Sequence, residues 1–155
     1  EGLSFREAGP RIGEALELVG LGEFRKAVPR ELSGGMKMRV SIARALITRP
    51  RLLLMDEPFA ALDEITRFKL NDDLMRLKQE MGCTVVFVTH SIYESAYLST
   101  RIAVMAARPG RVIAEIVIEA PLPRGEFFRR EPVYLEACAK ASDALHGAMD
   151  PRDHR

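Results

Sequence analysis

Cysteine, tryptophan and long apolar runs are scarce or missing in this sequence. Tryptophan is absent, and the two cysteines, Cys83 and Cys138, stand far apart without a C-x-x-C spacing. A disulfide scaffold and a zinc knuckle are therefore excluded. The longest uninterrupted apolar stretch runs only from Ile102 to Ala107, whereas a membrane-spanning helix needs about 18 such residues.

An excess of charge of one sign is missing as well. The chain of 155 residues has 23 Lys and Arg against 22 Asp and Glu, a formal net charge of +1, and 47% hydrophobic residues. This balance gives no broad basic surface, so we expect no nucleic-acid partner. The apolar content is high enough for a folded core, and the cysteine usage fits a cytosolic location. The sequence begins with Glu1 rather than Met, and we expect it to be part of a longer protein.

Hydrophobic periodicity and turn residues predict an alternation of helices and strands. The predicted helices cover residues 9–19 (with Pro10 in the first turn), 36–48, 64–81, a segment that opens at Ser91, and 133–148. The predicted strands cover residues 52–55, 84–88, 102–105 and 112–118. The last helix is expected to bury the face that carries Leu135, Cys138, Ala141 and Leu145. This order predicts an α/β fold with a mainly parallel sheet flanked by helices, a C-terminal β-hairpin and a tail helix.

Two adjacent carboxylates, Asp56 and Glu57, follow the apolar run from Leu52 to Met55. A run of this length between turn residues predicts a buried strand, and ligands of α/β sheets bind beyond the C-terminal ends of strands. An Asp in this place can hold Mg²⁺, and a neighbouring Glu can orient or deprotonate an attacking water. The alternative is a pair of loop acids, one of which caps a helix.

A second candidate group, Ser33-Gly34-Gly35, stands at the start of a predicted helix and is followed by Lys37. Glycine lets the backbone approach a ligand closely, and the N–H groups of a first helical turn attract anions. Ser33 can add a hydroxyl group and Lys37 a positive charge. The alternative is an ordinary N-cap formed by Ser33.

His90 follows the predicted strand 84–88 directly. The interval from Asp56 to His90 fits one helix and one strand, so we expect both strand ends at the same edge of the sheet. There, His90 could contact a phosphate oxygen or a water beside Glu57, and a structural histidine is the alternative. Asp63, in Ala61-Leu62-Asp63, is by itself an adequate helix N-cap.

Together, in this order and spacing, the four groups resemble the ATP-binding subunits of ABC transporters. Leu32-Ser33-Gly34-Gly35 resembles the signature motif of that family, and residues 52–56 resemble its Walker B strand, with Glu57 as the catalytic glutamate. Ala61-Leu62-Asp63 resembles the D-loop, and His90 the switch histidine. Met36 and Met38 depart from the family, which usually has Gln at these positions. Residues 89–94, 107–111 and 122–124 are similar to the nitrate, sulfonate and taurine importer type.

The resemblance implies a mechanism and a set of partners. ATP and Mg²⁺ would lie between two subunits paired head to tail, with Asp56 holding the metal ion and Glu57 and His90 acting in catalysis. Ser33, Gly34, Gly35 and Asp63 would contact the nucleotide. The implied partners are a second ATP-binding subunit, transmembrane permease subunits and, indirectly, an external solute-binding protein. The implied location is cytoplasmic, on the inner face of the cell membrane.

The P-loop pattern G-x-x-x-x-G-K-[ST] does not occur, because no glycine of the sequence is followed by lysine. By resemblance, the chain is the C-terminal part of one nucleotide-binding domain of the P-loop NTPase type. Residues 1–50 would end the helical subdomain and hold the signature helix, residues 51–118 Walker B, D-loop and switch, and residues 119–155 the tail helix. We therefore expect the chain alone to be inactive. A non-catalytic truncated ABC module and a soluble ABC ATPase without a transport role are the alternative functions.

Overall fold

The structure, a computed structural model, describes residues 5–148, which divide into an N-terminal unit up to Val88 and a C-terminal unit from Thr89. The N-terminal unit is built from α1 (Phe5–Leu18), α2 (Gly34–Leu46), β1 (Leu52–Asp56), α3 (Glu64–Met81) and β2 (Thr84–Val88). The C-terminal unit is built from α4 (Ile92–Leu98), β3 (Arg101–Ala106), β4 (Arg111–Val117) and α5 (Pro132–Ala148). Short 3-10 helices cover Gly22–Phe24, Pro29–Glu31 and Glu126–Arg130.

In the N-terminal unit, β1 and β2 form the predicted parallel pair, joined by α3. Leu52 lies opposite Thr84 at one end of the register and Asp56 lies opposite Val88 at the other. The bounds of α3 and β2 agree with the prediction. Asp63 caps the start of α3, and Gly82, at φ +59, ends it. Both residue types favour these positions at helix ends, so the bounds can be predicted from the sequence.

The prediction that residues 52–55 form a wholly buried strand was wrong, because β1 is buried on one face only. Leu53 and Met55 are buried, whereas Leu54 is 69% exposed. Val86, the register partner of Leu54, is 47% exposed. Side chains alternate along a strand, so one apolar face of this sheet is open to solvent within the described residues. The other face, with Leu53 and Met55, belongs to the core.

Two helices begin two or more residues earlier than predicted. The first, α1, starts at Phe5, so Pro10 lies inside the helix rather than in its first turn. This proline removes one N–H donor, but the helix continues to Leu18 and stops before Gly20, which has φ +69. The second, α2, starts at Gly34, because Ser33 is the N-cap and its Oγ accepts a hydrogen bond from the N–H of Met36 at 3.2 Å.

The C-terminal unit contains the predicted hairpin, in which β3 and β4 are antiparallel. The predicted buried face of α5 was right in part: Ala141 is buried as predicted, but Tyr134 and Ala137 are buried as well and Leu135 is 56% exposed. The apolar side chains of α5 extend over neighbouring faces, so periodicity alone does not select one. Contact with the 3-10 helix Glu126–Arg130 determines which face of α5 is buried, because its buried Phe128 packs edge-on against Tyr134 with ring centroids 5.6 Å apart.

Among the helices of residues 5–148, the structure contains none with the length and apolar character needed to cross a membrane.

Candidate functional site

The acid pair lies at the C-terminal end of β1, and neither carboxylate is buried. Asp56, the last residue of β1, is exposed, and Glu57 is half-buried. The alternation of the strand places Asp56 on the open face, with Leu54. Both carboxylates are therefore accessible at the edge where ligands of parallel sheets bind.

Glu57 has an uncommon backbone conformation. Its φ is +45, in the left-handed region where a non-glycine residue costs roughly 1–3 kcal/mol. Its N–H donates to the carbonyl oxygen of Val88 at 2.9 Å, and its own carbonyl accepts from the N–H of Ala60 at 3.2 Å. Phe59, which is 1% exposed, packs on Phe87 with ring centroids 5.5 Å apart. These contacts hold the turn, and the turn directs Glu57 away from the line of the strand.

The group Ser33-Gly34-Gly35 forms the start of α2, with both glycines inside the first turn. Ser33 is exposed, and its Oγ caps the N–H of Met36. The N–H of Lys37 donates to the carbonyl oxygen of Ser33 at 2.9 Å. Gly34 is exposed and Gly35 half-buried. The N-cap interpretation of Ser33 is thus confirmed, and the same turn still presents backbone N–H groups and a hydroxyl that suit an anion.

Asp63 is the N-cap of α3 and uses both carboxylate oxygens for Thr66. Oδ1 accepts from the Thr66 N–H at 2.9 Å, and Oδ2 accepts from the Thr66 hydroxyl at 2.7 Å. The hydroxyl hydrogen bond and then the amide hydrogen bond lower the pKa of Asp63 below its ordinary value. The carboxylate is therefore held ionised and fixed at the helix start.

The starts of α2 and α3 pack directly on each other, which the sequence did not predict. A Cβ atom at position 34 would lie 3.2 Å from Leu62 Cδ2, and one at position 35 would lie 2.9 Å from Thr66 Cγ2. Farther along the same helices, Arg39 of α2 forms an ion pair with Asp73 of α3. The glycines are thus the only sequence signal of this contact, since they mark a close approach without naming the partner.

His90 belongs to the C-terminal unit, two residues after the end of β2. Its ring is exposed, and the residues before and after it, Thr89 and Ser91, both form hydrogen bonds. The Thr89 hydroxyl donates to Glu94 Oε2 at 2.7 Å and accepts from the Ser91 N–H at 3.0 Å. Ser91 and Glu94 have the spacing of a capping box, but the Thr89 hydroxyl lies between the glutamate side chain and the N–H of the capping residue. Glu94, only 4% exposed, was not among the candidate residues predicted from the sequence.

The structure thus brings together Ser33, Gly34, Gly35 and Asp63 at two adjoining helix starts, and places Asp56 and Glu57 side by side at the C-terminal end of β1. Within residues 5–148 it contains no cluster of three or more His, Cys, Asp or Glu side chains that could enclose a metal ion. A metal ion here would need most of its ligands from phosphate oxygens and water, and this is the usual arrangement for Mg²⁺ in nucleotide sites.

Known proteins match this chain at the level of family, sequence and structure. The family model described as ABC transporter matches residues 5–60. An aliphatic sulfonates import ATP-binding protein of Pseudomonas savastanoi pv. phaseolicola is 43% identical over 137 residues, 88% of this chain and 56% of that protein. A taurine import ATP-binding protein of Rhizobium johnstonii is 42% identical over 156 residues, 97% of this chain and 60% of that protein. The chain thus spans little more than half the length of these relatives.

A solved structure supports the same relationship. The dimeric structure of MJ0796, a bacterial ABC transporter cassette, matches with a TM-score of 0.61 and 36% identity, over 77% of this chain and 51% of that one. A nitrate import ATP-binding protein of Synechocystis is 39% identical over 95% of this chain, so the importer types expected from the sequence are among the relatives. The matches in sequence and structure show that the chain is similar to the ATP-binding proteins of ABC transporters.

Proposed function

We propose that this chain is part of the ATP-hydrolysing subunit of an ABC importer for a small solute such as a sulfonate, taurine or nitrate. The observation that carries the proposal is the pair Asp56 and Glu57 at the C-terminal end of a strand paired in parallel with β2. Ligands of open α/β sheets bind at this edge. Relatives named for the import of these three solutes are 39–43% identical to the chain.

In this proposal, Asp56 and Glu57 have different tasks. Asp56 is exposed and continues the strand, so its carboxylate can hold Mg²⁺, directly or through water. The metal ion, when bound, neutralises charge on the phosphates of ATP. Glu57 leaves the line of the strand through its positive φ, and its carboxylate orients or deprotonates the attacking water. The strained turn supports this assignment, because strain is concentrated at functional sites.

The start of α2 is proposed to bind the γ-phosphate of ATP held by a second subunit in a head-to-tail dimer. The exposed Ser33 hydroxyl and the backbone of Gly34 and Gly35 suit this anion. Asp63, fixed by Thr66, lies at the adjoining helix start and takes part in the same nucleotide contact. His90 contacts the γ-phosphate from its exposed position after β2.

The proposal extends to the partners and location of the whole protein. Transmembrane permease subunits would transmit the ATP-driven closure, and an external solute-binding protein would deliver the solute. The protein would then lie in the cytoplasm against the inner face of the membrane. Residues 1–50, 51–118 and 119–155 would serve as the signature, Walker B-to-switch and tail parts of one nucleotide-binding domain.

The test is Glu57→Gln in the full-length protein that contains this chain. General-base assistance is worth roughly 10²–10⁴-fold in rate, so hydrolysis should fall by that order while ATP binding persists. Phosphate release and binding of labelled ATP measure the two effects separately. Glu64→Gln, an exposed acid in the first turn of α3, is the matched control and should leave both unchanged. Hydrolysis by Glu57→Gln within about threefold of the parent would contradict the role of Glu57.

A further inference from the structure

Helix α4 follows His90 with only one residue, its N-cap Ser91, between them. It has seven residues, and so short a helix is marginal without tertiary contacts. Its position, and with it the position of the segment that carries His90, therefore depends on what holds its two ends.

The N-terminal end of α4 is held by a closed set of hydrogen bonds. The buried Glu94 carboxylate accepts from the Thr89 hydroxyl at 2.7 Å, and Thr89 Oγ1 accepts from the Ser91 N–H at 3.0 Å. Ser91 Oγ in turn accepts from the Glu94 N–H at 3.3 Å. His90 stands between Thr89 and Ser91, so both of its neighbours in the chain are tied to Glu94.

The C-terminal end of α4 is held by Arg124, which comes from a distant part of the chain. Arg124 is 5% exposed, and its Nη1 donates to the carbonyl oxygens of Ala96, Tyr97 and Ser99 at 3.1, 2.9 and 2.8 Å. Such carbonyls lack helical partners and form the negative end of the helix dipole. The single Nη1 of Arg124 makes all three contacts, so its two N–H groups are shared among the three carbonyl oxygens.

Further contacts fix Arg124 itself. The Tyr97 hydroxyl donates to the Arg124 carbonyl oxygen at 2.8 Å, and the Arg124 Cζ lies 4.5 Å from the centroid of the Phe128 ring. The backbone of Arg124 is thus hydrogen bonded to Tyr97 of α4, and its side chain contacts both α4 and the Phe128 ring. Removal of the guanidinium group would leave buried carbonyls without donors, which is costly.

We propose that Glu94 and Arg124 are positioning residues for His90, and that α4 is the rigid element through which they act. The proposal rests on the proposed function, which gives His90 its contact with the γ-phosphate. Arg124 links the segment after the hairpin to the switch histidine, so a change in that segment changes the geometry at His90. A misplacement of about 1 Å at a reacting group can cost roughly 10²-fold in rate.

The first experiment measures α4 in the chain itself by amide hydrogen exchange. In Arg124→Ala, the Ser95 and Ser99 amides, which donate to the carbonyls of Ser91 and Ser95, should exchange about tenfold faster, while the amides that pair β3 with β4 keep their rates. Arg130→Ala, which removes an exposed arginine near Phe127, is the matched control and should change neither. Unchanged exchange in α4 of Arg124→Ala would overturn the proposal.

The second experiment measures ATP hydrolysis in the full-length protein. Arg124→Ala and Glu94→Ala should lower kcat about tenfold or more and leave KM for ATP within about twofold, because the ATP-binding groups stay in place. Glu94→Gln, which keeps an acceptor oxygen for Thr89, should retain most of kcat. The kcat of Arg124→Lys should lie between that of Arg124→Ala and that of the parent.

A double-mutant cycle separates positioning from a general loss of structure. If Arg124 acts through His90, adding Arg124→Ala to His90→Gln should lower kcat little further. Equal fold losses in the two backgrounds would overturn the proposal. A lowered kcat in His90→Gln with an unchanged kcat in Arg124→Ala would contradict this proposal alone, whereas an unchanged kcat in His90→Gln would contradict the proposed role of His90 and this proposal with it.

Discussion

At the scale of single residues, position 35 has no room for a side chain. A Cβ atom there would lie 2.9 Å from Thr66 Cγ2, closer than folded proteins tolerate without a shift. Thr66 is not free to rotate away, because its hydroxyl donates to Asp63 Oδ2 at 2.7 Å. A substitution at Gly35 therefore acts on folding as well as on any bound nucleotide, and Ser33, which is exposed, is the better position for a test of nucleotide contact.

We predict that Gly35→Ala lowers the free energy of unfolding of the chain by about 1–3 kcal/mol, the usual cost of overpacking. In a Thr66→Ser background the loss should shrink, because serine keeps the hydroxyl for Asp63 and lacks the methyl group that clashes. Urea unfolding of the four variants measures both quantities. Gly147→Ala, a helical glycine with open space around it, is the control and should cause no loss. An equal loss in both backgrounds would show that Thr66 is not the obstacle.

At the scale of elements, the sequence predicted α3 and β2 best, because polar caps and glycine mark their ends. For the same reason it predicted which candidate site residues stand at the end of a strand and which stand at the start of a helix. It did not predict the burial of β1, which depends on what covers each face of the sheet. The burial of Tyr134 and Ala137 on α5 and the contact of Gly35 with Thr66 were also beyond it, because both depend on segments distant in sequence.

The cap of α3 should give the chain a specific pH dependence. Hydrogen bonds from Thr66 lower the pKa of Asp63 in the folded state. A lowered folded-state pKa adds stability that is present above the unfolded value of about 4 and is lost as the pH falls through the folded value. Asp63→Asn should remove that part of the acid dependence while keeping an oxygen for the Thr66 N–H.

The measurement is the free energy of unfolding at several pH values from about 6 down to 2. Thr66→Val keeps the shape of the side chain and the amide donor but removes the hydroxyl, so it should give a pH dependence between those of the parent and Asp63→Asn. A parent and an Asp63→Asn variant with parallel curves would contradict the link between Asp63 and helix capping.

At the scale of the whole molecule, the open apolar face of the β1–β2 sheet sets how the chain behaves alone. Leu54 and Val86 lie in register and are 69% and 47% exposed. We predict that the chain binds a hydrophobic dye in its native state and that Leu54→Thr with Val86→Thr reduces dye fluorescence without loss of helical circular dichroism. Leu53→Thr, on the buried face, should instead destabilise the fold. Equal dye binding by the parent and the double variant would contradict the exposure of this face.

We also predict that the purified chain, with Mg²⁺ and ATP, does not hydrolyse ATP at the rate of full-length relatives. The sequence contains no P-loop pattern, the element that supplies most phosphate contacts in this class of nucleotide sites. Phosphate release is the measurement, and Glu57→Gln is the control for a contaminating ATPase. Family-like turnover that disappears in Glu57→Gln would contradict the prediction.

The close approach of α2 and α3 at Gly35 has a consequence for how such sequences are interpreted. Because the glycine is required by Thr66 of the same chain, selection for folding alone would preserve it. A descendant that had ceased to bind nucleotide would still carry a glycine at this position for as long as the two helices met there. The second glycine of the motif is therefore evidence of ancestry and packing, and by itself no evidence that a chain binds nucleotide.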